Sequence, residues 1–431
     1  MKQFAAALAL SAFLASCTVY RALPLASGPD YSALPPPPVG PLDMAAVATL
    51  AVQRNPDLVA SRRKADVAEA QSFAAGLLPD PQLSASLDHP TALGFVSGYM
   101  LGLSEDLQAL LTHPARASAA QAAADQAKLS VLWDEWQTIE KASALYVQKT
   151  TADEKQAMLA RIEVVLATQS GRSAKALAMH DATLDQAGVD LVAALDTASQ
   201  RSSASRDALT ADINLKALID VNPTATLMLA GLGEPESFTP EQLNSALDNL
   251  THSRPDLLAL QAGYRSQEEA VWIAVLSQFP TITLGFTRGA DTSNVHTIGL
   301  TATVNLPIFN GARGEIHVQS ATRAQLHAEY QARLDQTTAD AWRLWQEMNL
   351  LRKQIGELKA ALPTFRKMAE IGRRAYASRD LAPATYILMQ TSLTARESEL
   401  LDLQSSLWID SIALHTILGQ PYVPAASTEP K

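Results

Sequence analysis

This sequence predicts a mainly helical fold with a small β part, built twice from the same order of elements: helix, two strands, long helical hairpin. Three observations carry that expectation. Segments recur at an offset of about 200 residues. Each half contains a pair of short runs in which apolar and polar residues alternate, and long stretches follow in which apolar residues are spaced by three and four.

The first half reads as helix from about Pro41 to Leu78, where Pro79-Asp80-Pro81 stops it. Within it, Asn55-Pro56-Asp57-Leu58 has a counterpart in Arg254-Pro255-Asp256-Leu257, and the second helical segment ends at Phe279-Pro280 as the first ends at Leu78-Pro79. The halves close on Leu215-Lys216-Ala217-Leu218-Ile219 and His415-Thr416-Ile417-Leu418. The chain thus divides into a first repeat at 42–220, a linker at 221–240, a second repeat at 241–420 and a tail at 421–431.

Strands are expected at about 81–104 and 281–305. In Thr281 to Thr287, Ile282, Leu284 and Phe286 oppose Thr281, Thr283, Gly285 and Thr287. In Thr297 to Asn305, Ile298, Leu300, Ala302 and Val304 oppose Thr297, Gly299, Thr301, Thr303 and Asn305. Gln82 to Asp88 repeats the pattern with Leu83, Ala85 and Leu87 on the apolar side, and Phe95 to Ser104 does so more loosely. Such alternation fits a half-buried strand of a soluble sheet and equally a barrel strand with lipid outside and a polar lumen. On the barrel reading Leu284, Phe286, Leu300 and Val304 face lipid. Four strands do not close a barrel, and an open sheet leaves two unpaired edges, so several chains must share one. Two chains give eight strands and a filled interior; three give twelve and an open lumen.

The longest helix of the second half is expected from Arg313 to Ser378, with Met348, Leu351, Ile355, Leu358, Leu362 and Phe365 forming a heptad seam. About 66 residues at this rise span roughly 100 Å. Pro363 lies inside it and is expected to kink it or break the ladder. The hairpin tips fall at about 180–183 and 379–383. From each tip a helix of about half that length returns, short by the length of the helix before the strands, so the two shorter helices stack end to end beside the long one.

At the N-terminus, Lys2 precedes an apolar run from Phe4 to Phe13 and then Leu14-Ala15-Ser16-Cys17. The run is too short to span a bilayer and suits a signal peptide over 1–16. Small residues directly before the cysteine resemble a bacterial lipobox, in which Cys17 is the lipidated residue. By the same resemblance, Thr18 in place of Asp points to the outer membrane. Residues 17–41, with Pro35 to Pro38, read as an extended tether. Cys17 is the only cysteine, which excludes intrachain disulfides, CxxC chemistry and cysteine metal clusters.

A formal charge of -10 with 18% charged residues argues against nucleic-acid binding. After the signal no apolar run approaches the length of a membrane helix, so any crossing must use strands. There is no HExxH, GxSxG, P-loop or GxGxxG ahead of a helix, so neither enzymatic activity nor a cofactor is expected. Met179-His180 reads as a solvated turn and not as a metal site.

The duplicated order of elements, with Gly28-Pro29-Asp30-Tyr31 after the lipid cysteine, Asn55-Pro56-Asp57-Leu58, and Leu306-Pro307-Ile308-Phe309-Asn310-Gly311-Ala312-Arg313 after the fourth strand, resembles the TolC family of outer-membrane efflux factors, particularly its lipoprotein branch. That resemblance implies a homotrimer with a 12-stranded outer-membrane barrel continued by a 12-helix periplasmic barrel. It further implies an exit duct for an inner-membrane pump and a periplasmic adaptor. The adaptor contact or gate would lie at the tips, at His180, Asp181, Arg379 and Asp380. Two departures stand out. Relatives carry glycine where this chain has His180 and Arg379, and acidic residues near the second tip where it has Thr385 and Leu388. The competing reading is a periplasmic coiled-coil lipoprotein with an adaptor or structural role. An adaptor, however, needs β-rich segments flanking one hairpin, and a structural coiled coil has no use for alternating strands.

Overall fold

The structure, a computed structural model, describes residues 20–28 and 40–420. Cys17, the signal segment, Pro35 to Pro38 and the tail at 421–431 lie outside the described residues. Residues 1–36 form a unit of their own, of which 20–28 are exposed chain without regular structure. Everything else belongs to the second unit.

That unit opens with α1 (Met44–Arg54) and α2 (Pro56–Ala75), not one helix, because Asn55 precedes a proline and so leaves the helical region. Asn55 instead caps α2, its side chain accepting from the Leu58 amide at 2.9 Å. The strands β1 (Gln82–Asp88) and β2 (Gly98–Asp106) follow, then α3 (Leu107–Ala178) and its return helix α4 (Leu184–Leu218). After the linker come α5 (Pro240–Asp248), the short α6 (Leu250–Ser253) and α7 (Pro255–Leu276). The second half ends with β3 (Thr281–Ala290), β4 (His296–Asn305), α8 (Arg313–Ala377) and α9 (Pro383–Ile417).

The long helices reach 72 and 65 residues, and both run through a proline, Pro114 in α3 and Pro363 in α8. The helix continues through Pro363. Proline's fixed φ is helical, its ring costs one ladder bond, and a helix packed along its whole length retains the rest. The seam is a strict heptad: Ala341, Met348, Ile355, Leu362 and Ala369 are all buried, as are Leu145, Ala152, Leu159, Leu166 and Ser173 in α3. Leu351 and Leu358 are half-buried, and Phe365, expected in the seam, is 37% exposed at its margin.

In each repeat two shorter helices flank the long one: α2 and α4 pack on α3, α7 and α9 on α8, and α7 packs on α3 as well. Each end-to-end joint is a hydrogen bond across the whole repeat. Asn55 Nδ2 donates to the Leu218 carbonyl at 3.1 Å in the first, and an Arg254 guanidinium N–H donates to the Ile417 carbonyl at 3.3 Å in the second. The linker is pinned beside these joints. Leu42 and Leu229 form a parallel bridge, the Tyr146 hydroxyl donates to the Ala230 carbonyl at 2.6 Å, and the indoles of Trp408 and Trp345 donate to the Gly233 and Phe238 carbonyls. The largest apolar cluster gathers here, around Val47, Tyr146, Leu215, Ile219 and Ile412.

Candidate functional site

The four strands form one antiparallel sheet in the order β1-β2-β3-β4, so β1 and β4 are edges with no partner strand among the described residues. Register and alternation sort the side chains onto two faces. Leu83, Leu103, Phe286 and Leu300 lie in one cross-strand row, and Ile282 with Val304 and Leu284 with Ala302 continue the same face. The four residues expected to face lipid, Leu284, Phe286, Leu300 and Val304, therefore share one exposed apolar surface, on which Leu300 is 88% exposed.

The opposite face carries Ser84, Ser86, Ser104, Thr283, Thr287, Thr301 and Thr303 among glycines. Two of those glycines are required by crowding. A Cβ on Gly102 would stand 2.5 Å from Ser84 Oγ, and one on Gly285 would stand 2.7 Å from Thr301 Oγ1 and 3.0 Å from Ser104 Cβ. Glycine leaves room there for the cross-strand hydroxyl side chains. Among the described residues no helix is long and apolar enough to cross a membrane.

At the other end of the helices, both hairpin tips are Schellman turns. Asp181 N–H donates to the Ala176 carbonyl and Asp380 N–H to the Ala375 carbonyl, each at 2.8 Å. The residue before each, His180 and Arg379, has φ of 63° and 66°. This is the left-handed position that glycine fills without strain, and a β-carbon there costs about 1 kcal/mol. His180→Gly and Arg379→Gly should each raise the unfolding midpoint, by about 0.5 to 1 kcal/mol of stability, in helical circular dichroism. An unchanged or lowered midpoint would mean that these side chains make contacts outweighing the strain.

The four expected tip residues are all exposed and fall into two separate pairs. None forms an ion pair among the described residues, and Asp380 accepts from Ser378 Oγ at 2.6 Å within its own turn. The tips also differ in reach. Leu381 of the second tip packs against the apolar cluster of Leu166, Tyr386 and Ile387, well short of the first tip, and Tyr376 OH donates to Gln169 Oε1 at 2.6 Å. The first hairpin continues beyond that bond on the order of 10 Å further than the second.

That bond belongs to a buried polar network which the sequence reading did not identify. Gln169 Nε2 donates to Asp190 Oδ2 at 3.1 Å, and Ser173 Oγ donates to the same oxygen. Asp190 is 1% exposed, and its Oδ1 has no hydrogen-bond partner. The Tyr376 and Tyr386 rings stack at 4.6 Å. The network thus ties the α3–α4 hairpin to the α8–α9 hairpin a few turns above the first tip. Near the second tip, hydrogen bonds from Arg373 and Arg374 hold the Glu370 carboxyl down to about 2. Its folded value lies below the unfolded one, so this exposed fork persists through the neutral range and is lost only as pH falls toward 2. Among the described residues no cluster of His, Cys, Asp and Glu is placed to hold a metal.

No protein-family model matches the sequence, and no curated protein does. Solved structures do match. The outer-membrane channel OprN is 13% identical, with 88% of this chain and 91% of that one covered at a TM-score of 0.75. CusC, studied for its folding and transmembrane channel formation, is 16% identical with 88% and 92% covered at 0.73. The open state of the Neisseria gonorrhoeae MtrE outer membrane channel is 16% identical with 88% and 89% covered at 0.72. Likeness of this extent at such low identity is likeness of fold: over nearly all of its described length, this chain adopts the TolC-like fold of outer-membrane channels.

Proposed function

We propose that three copies of this chain close their sheets edge to edge into one 12-stranded outer-membrane barrel. Their twelve helical columns continue it as a periplasmic tunnel, an exit duct passing substrates from an inner-membrane pump and a periplasmic adaptor to the outside. The observation that carries the reading is the sheet itself. It has an exposed apolar face, a hydroxyl-lined face and two edges without a partner strand among the described residues, a combination that is a liability in a lone chain and is resolved when β4 of one copy pairs with β1 of the next. The long helices end away from the sheet, so the tips are the parts nearest an inner-membrane partner. His180, Asp181, Arg379 and Asp380 serve there as adaptor contacts or gate. They form no ion pair among the described residues, which leaves their charges available to pair between copies, each exposed pair contributing about 0.2 to 1 kcal/mol, weak enough for an adaptor to displace. Cys17 anchors each copy by its lipid. The structures of OprN and MtrE, described as outer-membrane channels, support this assignment.

Intact mass measured in detergent tests stoichiometry and anchor together. The expected particle contains three chains, each carrying acyl mass, and Cys17→Ala should remove the acyl mass while leaving three chains. A monomer or dimer would overturn the duct, and acyl mass surviving in Cys17→Ala would overturn the anchor.

A further inference from the structure

One side chain on the apolar face of the sheet does not fit a purely greasy wall. Alternation along β3 places Arg288 on the same side as Ile282, Leu284 and Phe286, and register sets it between Leu101 and Ile298. It is exposed, and it forms no ion pair or hydrogen bond among the described residues. Its five donors are therefore without an acceptor on a surface that, on the duct reading, meets hydrocarbon. A fixed cation is strongly disfavoured at the bilayer midplane and nearly neutral at the interface, so the position of Arg288 indicates depth.

Its height in the sheet agrees. Arg288 lies two residues before the end of β3 at Ala290, about 7 Å from the β3–β4 turn and at the end of the sheet away from the helices. The adjoining row holds Tyr99 opposite Ala290, and Ala290 opposite His296. An amphipathic aromatic at this level is the usual mark of the interfacial belt. The other charge on this face, Glu105 opposite Leu284, stands toward the helical end. The apolar band is thus bounded by a cation at the turn end and an anion at the helix end.

We propose that Arg288 is a lipid-binding residue. Its guanidinium takes the phosphate of an anionic lipid headgroup at the outer rim of the barrel, one site per copy, with Tyr99 packed beside the glycerol region. Arginine suits the task because its planar fork binds two phosphate oxygens at once while its stem lies along apolar surface. This inference rests on the barrel reading above, from which it takes the direction of the bilayer.

The full chain in detergent is titrated with phosphatidic acid, phosphatidylcholine or inorganic phosphate, and bound lipid is counted by native mass spectrometry. The expected result is up to three phosphatidic acids retained in preference to phosphatidylcholine. Arg288→Gln should weaken that retention about fivefold, corresponding to roughly 1 kcal/mol for one interfacial cation, and Arg288→Lys should keep part of it. Inorganic phosphate at equal concentration should not displace the lipid. Equal retention of both lipids by the wild type, identical retention by Arg288→Gln, or displacement by free phosphate would each overturn the site. A chain that assembles normally but shows any of these outcomes fails this inference alone, whereas one that does not assemble into a membrane particle fails the duct reading first.

Discussion

Arg254→Ala is expected to cost about 3 to 5 kcal/mol, the largest effect of any single substitution in the helical part. Arg254 is 5% exposed. Its Nε and one terminal nitrogen donate to the two carboxylate oxygens of Asp256 at 2.7 and 3.1 Å, and the other donates to Thr337 Oγ1 at 2.8 Å and to the Ile417 carbonyl. The Trp133 ring lies 4.7 Å beneath the guanidinium. Truncation leaves the Asp256 carboxylate, 8% exposed, with only Arg333 at 3.5 Å to balance it. Truncation also frees the α7–α9 joint. Removing both charges as Arg254→Met with Asp256→Leu should recover most of the loss, since the penalty arises from an unpaired buried charge and not from lost attraction. Denaturant unfolding followed by circular dichroism checks this. An Arg254→Ala midpoint close to wild type, or a double variant no better than the single, would show that the pair is not what secures the joint.

The second large effect lies in the sheet. Leu300→Arg places a cation on the apolar face and should cost about 2 to 4 kcal/mol per copy if that face meets lipid near its midplane, while Thr301→Arg on the hydroxyl face should be tolerated. The two positions are adjacent in β4, so strand propensity and expression burden are nearly matched. The readout is the fraction of chain recovered as membrane-inserted assembly. Equal losses at both positions would remove the distinction between the faces.

The fold was legible wherever a period was unbroken. The alternation with a period of two is strict in the second strand pair and looser in the first, and the strands run over Gln82–Asp88, Gly98–Asp106, Thr281–Ala290 and His296–Asn305. The tips were legible from their turn residues, and the left-handed φ at His180 and Arg379 gives the physical reason glycine suits those positions. What escaped the reading depends on residues far apart in sequence. The parallel between Asn55 and Arg254 was visible, but not that each reaches a carbonyl 163 residues away. The network around Asp190 has a signature in the sequence: Asp190 and Ser173 lie in buried rows of α4 and α3 that hold Ala187, Ala204 and Leu166 as well as the polar Thr197 and Gln169. A polar residue in such a row needs a partner, and here the partner lies in the other hairpin. Pro363 does not end its helix, which continues on both sides of it.

The most direct test of a duct walled by this sheet is single-channel conductance in planar bilayers, with a cysteine placed on either face. In a Cys17→Ala background, which removes the only native cysteine, Thr283→Cys and Leu284→Cys differ by one residue and one face. The account predicts discrete conductance steps for both, with a charged, water-soluble thiol reagent changing the step size of Thr283→Cys and leaving Leu284→Cys unaltered. Absence of any steps, or an equal response at both positions, would contradict it.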